Sequence, residues 1–190
     1  MPLTNPAPGN ATAQNVADAS VAYFISLAVP GLQVIYQDIP WYIDDMSWQL
    51  AADLGWGAVA YFHIDAETES RITNASNGLQ PVGQVNVVYD CSLTVGYKYL
   101  IPSGVATLSE DAWVVPVRNM MELLKIGIRI DPTFGTYPLG DARPIFTAGQ
   151  GPAGQGPNIE TTRNPPVALD EGTIAQWNQL RFQIQSNIIA

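Results

Sequence analysis

Val85-Asn86-Val87-Val88-Tyr89-Asp90-Cys91-Ser92-Leu93-Thr94-Val95-Gly96-Tyr97-Lys98-Tyr99 is the stretch that decides the fold. Every odd position carries an apolar or aromatic side chain, and the even positions are mostly small or polar. Side chains of a strand point to opposite faces in turn, so this pattern predicts one long strand with one buried face. It is longer than the usual strand of a compact domain. A strand that outruns its own core suits a meeting with another subunit.

Working upstream, residues 57–65 are nearly all apolar and read as a second strand. Residues 65–71 are polar, and 74–83 hold turn formers. Two antiparallel strands, 57–65 and 82–99, are therefore expected around a long hairpin loop, too long for the turn to set the register. Asp44 or Asp45 caps a short helix through Leu50 to Asp53, after the bulky Trp41-Tyr42 and a strand at 33–36 that Pro40 breaks. Earlier still, Thr12 or Asn15 caps a helix in which Ala17, Val21, Phe24, Ile25 and Ala28 recur at helical spacing. Pro30 and Gly31 set its end at Val29. Residues 1–14 form a flexible arm, with three prolines in 1–9 and no apolar periodicity.

Downstream, Pro102 and Gly104 end the long strand. Ser109 or Asp111 caps a second helix whose Val114, Val117, Met121, Leu124 and Ile128 make one apolar stripe. Glu110 and Asp111 at its start and Lys125 and Arg129 at its end suit the helix dipole. Pro116 either marks the true first turn or kinks the helix. Residues 149–166 turn to Gly, Pro, Gln, Asn and Thr, a composition that forms an extended surface loop. Residues 174–189 close the chain as a strand, with Leu180, Phe182, Ile184 and Ile188 alternating against Arg181, Gln183, Gln185 and Asn187. The expected fold class is α+β: a mostly antiparallel sheet with two main helices packed on one face, in a single domain over 1–190.

The 190 residues carry 17 acids and 8 bases, a net charge of −9. No Lys or Arg precedes Arg71, whereas eight acids do, from Asp18 to Glu69. Sequence-independent binding to nucleic acid needs clustered cations, which this distribution lacks. No apolar run approaches the roughly 20 residues that cross a membrane. Residues 1–15 lack the basic and apolar regions of a secretory signal, so synthesis in a cytoplasm is expected. Cys91 is the one cysteine, which excludes an internal disulfide and a cysteine zinc site.

Catalytic constellations are sparse. His63 is the only histidine, and its pairing with Cys91 on a neighbouring strand lacks a third orienting group. Asp65, Glu67 and Glu69 alternate, so their carboxylates would share one face; a solvated strand end is the plainer reading. Asp44-Asp45 reads as a helix cap, and residues 149–156 lack the Gly-Lys-Ser/Thr of a phosphate loop. No enzyme activity, cofactor or metal is expected.

Several strings resemble the tail terminators of long-tailed bacteriophages, especially those of actinobacteria. They are Val29-Pro30-Gly31-Leu32-Gln33-Val34-Ile35-Tyr36 with Ile39-Pro40-Trp41, then Gly57-Ala58-Val59-Ala60-Tyr61-Phe62-His63-Ile64-Asp65, and Glu67-Thr68-Glu69-Ser70-Arg71-Ile72. The long strand, second helix and closing strand follow in the family's order. The resemblance implies a structural virion protein, a homo-oligomeric ring, commonly a hexamer, at the neck of the particle. Its partners would be the tail-tube protein and the head–tail connector, with genomic DNA passing through an acidic lumen without specific binding. Another neck component, a tail-tube subunit, or a small ligand-binding or hydrolytic domain are the alternatives. Trp41, Tyr42, Tyr97, Tyr99, Arg181 and Gln183 are the expected subunit-interface residues.

Overall fold

The computed structural model describes residues 12–38, 56–71, 84–101, 110–135, 146–148, 158–170 and 172–189. Its elements follow in the order α1 (Ala13–Ser26), β1 (Leu32–Gln37), β2 (Trp56–Arg71), β3 (Gln84–Leu100), α2 (Glu110–Ile130), β4 (Phe146–Ala148), β5 (Glu160–Arg163), β6 (Val167–Asp170) and β7 (Thr173–Ile189). The seven strands form one sheet in the order β1-β2-β3-β7-β4, with β5 and β6 also paired to β7. The fold class is α+β, as expected. Residues 1–11 of the arm, the Trp41-Tyr42 anchor, the short helix near Asp44 and Asp45, Ser109, and residues 149–157 lie outside the described residues.

Local chemistry accounts for the helices. The Thr12 hydroxyl accepts the Asn15 N–H at 3.2 Å, which satisfies one of the free donors at the start of α1. Residues 12–14 thus belong to the cap and first turn of α1 rather than to a loose arm. The helix stops at Ser26, short of Val29. The Leu27 and Ala28 N–H groups turn back to the Tyr23 and Ile25 carbonyls, and Ala28 takes φ 46°. Gly31 follows at φ 79°, where an added Cβ would lie 1.9 Å from the Trp56 ring. Of the expected α2 stripe, Val117, Met121, Leu124 and Ile128 are buried, joined by Met120, and Val114 is half-buried. The helix begins at Glu110, so Asp111 lies within it and does not cap it, and Pro116 sits past the first turn.

Three long strands make the body of the sheet. β3 is central and antiparallel to both neighbours, with Phe62 opposite Leu93 and Phe182 opposite Cys91. At about 3.3 Å per residue, these strands extend roughly 50–55 Å. β1 runs parallel to β2, the one parallel pair among the described strands of a mostly antiparallel sheet. Along the far side of β7, β4, β5 and β6 lie end to end, opposite residues near 185, 180 and 174 respectively.

Two segments read as loop are strand. β2 continues past Asp65 to Arg71, because residues 66–71 pair their backbone with β3 while the side chains of 66–70 stay in water. Residues 160–163, inside the Gly/Pro-rich 149–166 segment, form β5 because the outer backbone groups of β7 need partners. One extra residue interrupts β2: Ile64 faces Cys91 and Ala66 faces Asp90, leaving Asp65 as a bulge.

The core lies on the helix-bearing face. Phe24 of α1, Phe62, Phe182 and Phe134 form its aromatic hub, with centroid separations of 5.3 to 6.5 Å. Phe134 reaches it at φ 52° from a turn held by Asp131, whose carboxylate accepts the Thr133 and Gly135 N–H groups at 3.0 and 2.8 Å. α2 lies beside α1, where Gly127 meets Leu27 and its carbonyl accepts the Tyr23 hydroxyl at 2.7 Å.

Candidate functional site

The other face of the sheet carries the polar residues. Strand alternation puts Asp90, Ser92 and Lys98 of β3, and Gln179, Arg181, Gln183 and Gln185 of β7, on the side away from the core. They are tied across the strands: Gln183 Nε2 donates to Asp90 Oδ1 at 2.8 Å and Gln185 Nε2 to Asn86 Oδ1 at 2.9 Å. Within β7 itself, Arg181 Nε also donates to Gln179 Oε1 at 2.9 Å, beside the two cross-strand bonds. Such cross-strand pairs hold side chains in fixed places on a wet surface. Toward the β1 end the same face turns apolar. Tyr61 and Trp177 stand 6.4 Å apart, and Val34, Tyr36 and Trp177 pack over buried Val59 and Ala175. Trp177 lies so close over Gly96 that a Cβ there would meet its ring at 2.5 Å.

At the edge of this face stands the one histidine. His63 Nδ1 is 2.5 Å from Asp38 Oδ1, and Nε2 is 4.0 Å from Asp65 Oδ1. Asp38 holds φ 67°, its N–H donating to the Phe62 carbonyl at 2.7 Å. The pair borders a shallow depression whose other wall is Ala13, Gln14 and Ala17 of α1. A carboxylate beside an imidazole can orient it as a base, but a nucleophile is needed to complete acyl transfer. The Ser92 hydroxyl, opposite His63 in register, donates to Asp65 at 3.3 Å. Cys91 points into the core on the opposite face. Burial first, then the Asp65 and Asp90 charges, push its thiol pKa up, so it stays protonated and inert. His63 and Cys91 are not brought together.

The three alternating acids are also separated. The Asp65 bulge leaves Asp65 beside His63 and Ser92, whereas Glu67 and Glu69 pair with Tyr89 and Val87 on the core-side face. Among the described residues, no group of three His, Cys, Asp or Glu side chains is arranged to hold a metal ion.

The expected interface residues fall into three sets. Tyr97 and Tyr99 are 0 and 4% exposed in the chain's own core, which leaves them no surface to offer a neighbour. Arg181 is exposed and Gln183 half-buried, both on the polar face. Trp41 and Tyr42 lie outside the described residues. Sequence reading passed over Tyr61, Trp177 and Asp38. The alternation of 173–185 could have shown Trp177 standing among polar neighbours; Asp38 has no such signal, because its contact depends on the β1–β2 pairing.

No protein-family model matches this chain, and no curated protein matches it. Among the described residues no helix is long and apolar enough to cross a membrane.

Proposed function

We propose that this chain is a structural protein of a phage virion, a tail terminator that closes into a ring at the junction of tail tube and head. The observation that supports it most is the shape of the sheet. β2 runs 16 residues and β3 and β7 17 each, and β2 continues from Phe62 to Arg71 past the end of its β1 partner. Strands of that length, with a stretch of edge that no described strand pairs, favour contact with further chains. The resemblance of strings and element order to the tail terminators gives the contact its setting. In that setting the tail-tube protein and the head–tail connector bind opposite ends of the ring, and the acidic surface lets DNA pass unheld.

The test is mass in solution followed by electron microscopy of particles. The reading expects a discrete ring of 20.5 kDa subunits, and density for the chain as a collar between tube and head. Open-ended fibres of pure protein would identify a tube subunit, and a location elsewhere in the particle would overturn the reading. A second reading, a small ligand-binding or hydrolytic domain, draws on the depression beside His63. It expects a monomer or dimer whose activity His63→Ala abolishes, whereas the terminator reading expects that variant to assemble normally.

A further inference from the structure

The two lateral margins of the sheet differ in backbone pairing and in charge. At one margin β1 accompanies β2 only to Phe62, and beyond it the described strands pair β2 on its β3 side alone. Glu67 and Glu69 are exposed along this stretch. They stand on the core-side face, where, after burial, both carboxylates help push the Tyr89 hydroxyl up to about 12. α1 and the end of β1 add Asp18 and Asp38 at this margin, and Arg71, the last residue of β2, is the one base among its described residues.

The opposite margin carries cations. Arg118 and Arg129 of α2 and Arg163 of β5 are exposed, and together with Lys125 they outnumber Glu122 and Glu160, the acids of these two elements beyond Glu110 and Asp111 at the start of α2. The Glu122 pKa is held low, first by its hydrogen bond from Lys125 and then by the charges of Lys125, Arg129 and Arg163, so this flank of α2 looks toward β5. The other flank meets α1 through Gly127 and Leu27. The basic side of α2 therefore forms the outer margin of the helix layer. Beside it on the same helix, Ile126 and Ile130 are 43 and 77% exposed, apolar area that a purely ionic contact lacks.

We propose that these margins are the two halves of one interface between copies of this chain: the β2 edge of one copy, with Glu67 and Glu69, seats against the Arg118–Arg129–Arg163 flank of the next. This deepens the ring reading and rests on it. Unlike surfaces joined head to tail can close a ring, which two identical patches cannot do beyond a dimer. Copies that each carry a net charge of −9 repel one another, so the few cations must stand where a neighbour's acids arrive.

Three variants of the full chain test this by sedimentation and native mass spectrometry at low salt, with circular dichroism to confirm folding. One is Glu67→Lys with Glu69→Lys, one is Arg118→Glu with Arg129→Glu, and the third combines all four. All four positions are exposed, so the fold should persist. The wild type is expected to form a discrete oligomer. Each single-margin reversal should raise the dissociation constant at least tenfold, and the combined chain should assemble again, because both halves change sign together. Reversals that assemble like the wild type would overturn this interface and leave the ring reading standing. Loss in all three variants would also overturn it, since the loss would not come from pairing. A wild type that stays monomeric, alone and with tail tubes, would overturn the ring reading and this interface with it.

Discussion

Tyr89, Leu93, Phe182 and Ile184 are sealed in the core, while one step along the same strands half-buried Gln183 bonds Asp90 and Gln185 bonds Asn86 on the other face. Neighbouring residues of one strand thus serve different ends. The sealed face holds the molecule together through contacts among α1, the sheet and the turn after α2. The other, open face is held by side-chain hydrogen bonds and by a smaller apolar cluster over Val59 and Ala175. Where the two surfaces differ in energetic weight, substitutions one residue apart should differ widely.

The largest contrast is expected at Phe182. Phe182→Ala removes the ring that touches Phe24, Phe62 and Phe134, and should lower unfolding stability by about 3–5 kcal/mol in a denaturant titration. Gly96→Val should act on the open face through overpacking. The Trp177 ring must move away, at about 1–3 kcal/mol, with a change in tryptophan fluorescence. A smaller, graded effect is expected in alkali. The Tyr89 pKa is raised from 10.0 to about 12, chiefly by burial, so the folded state favours the neutral phenol. Stability from this group is complete below pH 10 and is lost as pH climbs through about 12. Tyr89→Phe should flatten that decline. Gln183→Ala should be the mildest, below about 1 kcal/mol. If it matched Phe182→Ala, the division between the faces would fail.

The sealed face was legible in the sequence because its signals are periodic. Thr12 and the spacing from Ala17 to Phe24 mark α1, the odd residues of 85–99 mark β3, and Val117 to Ile128 mark the inner side of α2. Burial of Tyr97 and Tyr99 follows from that same odd-residue pattern, so placing them at an interface went against their own periodicity. What periodicity missed depends on pairing. Residues 66–71 and 160–163 have little apolar content and become strands because β3 and β7 offer them hydrogen bonds. The Asp38–His63 contact spans residues 25 apart and depends on β1 lying parallel to β2, which no local pattern announces.

Asp65 has no opposite number on β3. Before it, the even-numbered residues of β2 look inward; after it, the odd-numbered ones do. This single unmatched residue acts as a phase shift, putting Glu67 and Glu69 where simple counting would have put Ala66 and Thr68. Excising it should leave every later residue in its seat and take away only the acid beside His63 and Ser92. Adding a residue between Ala66 and Glu67 would instead turn Glu67 and Glu69 to the opposite side, so past the bulge the strand cannot gain a residue without reversing what its outer half displays.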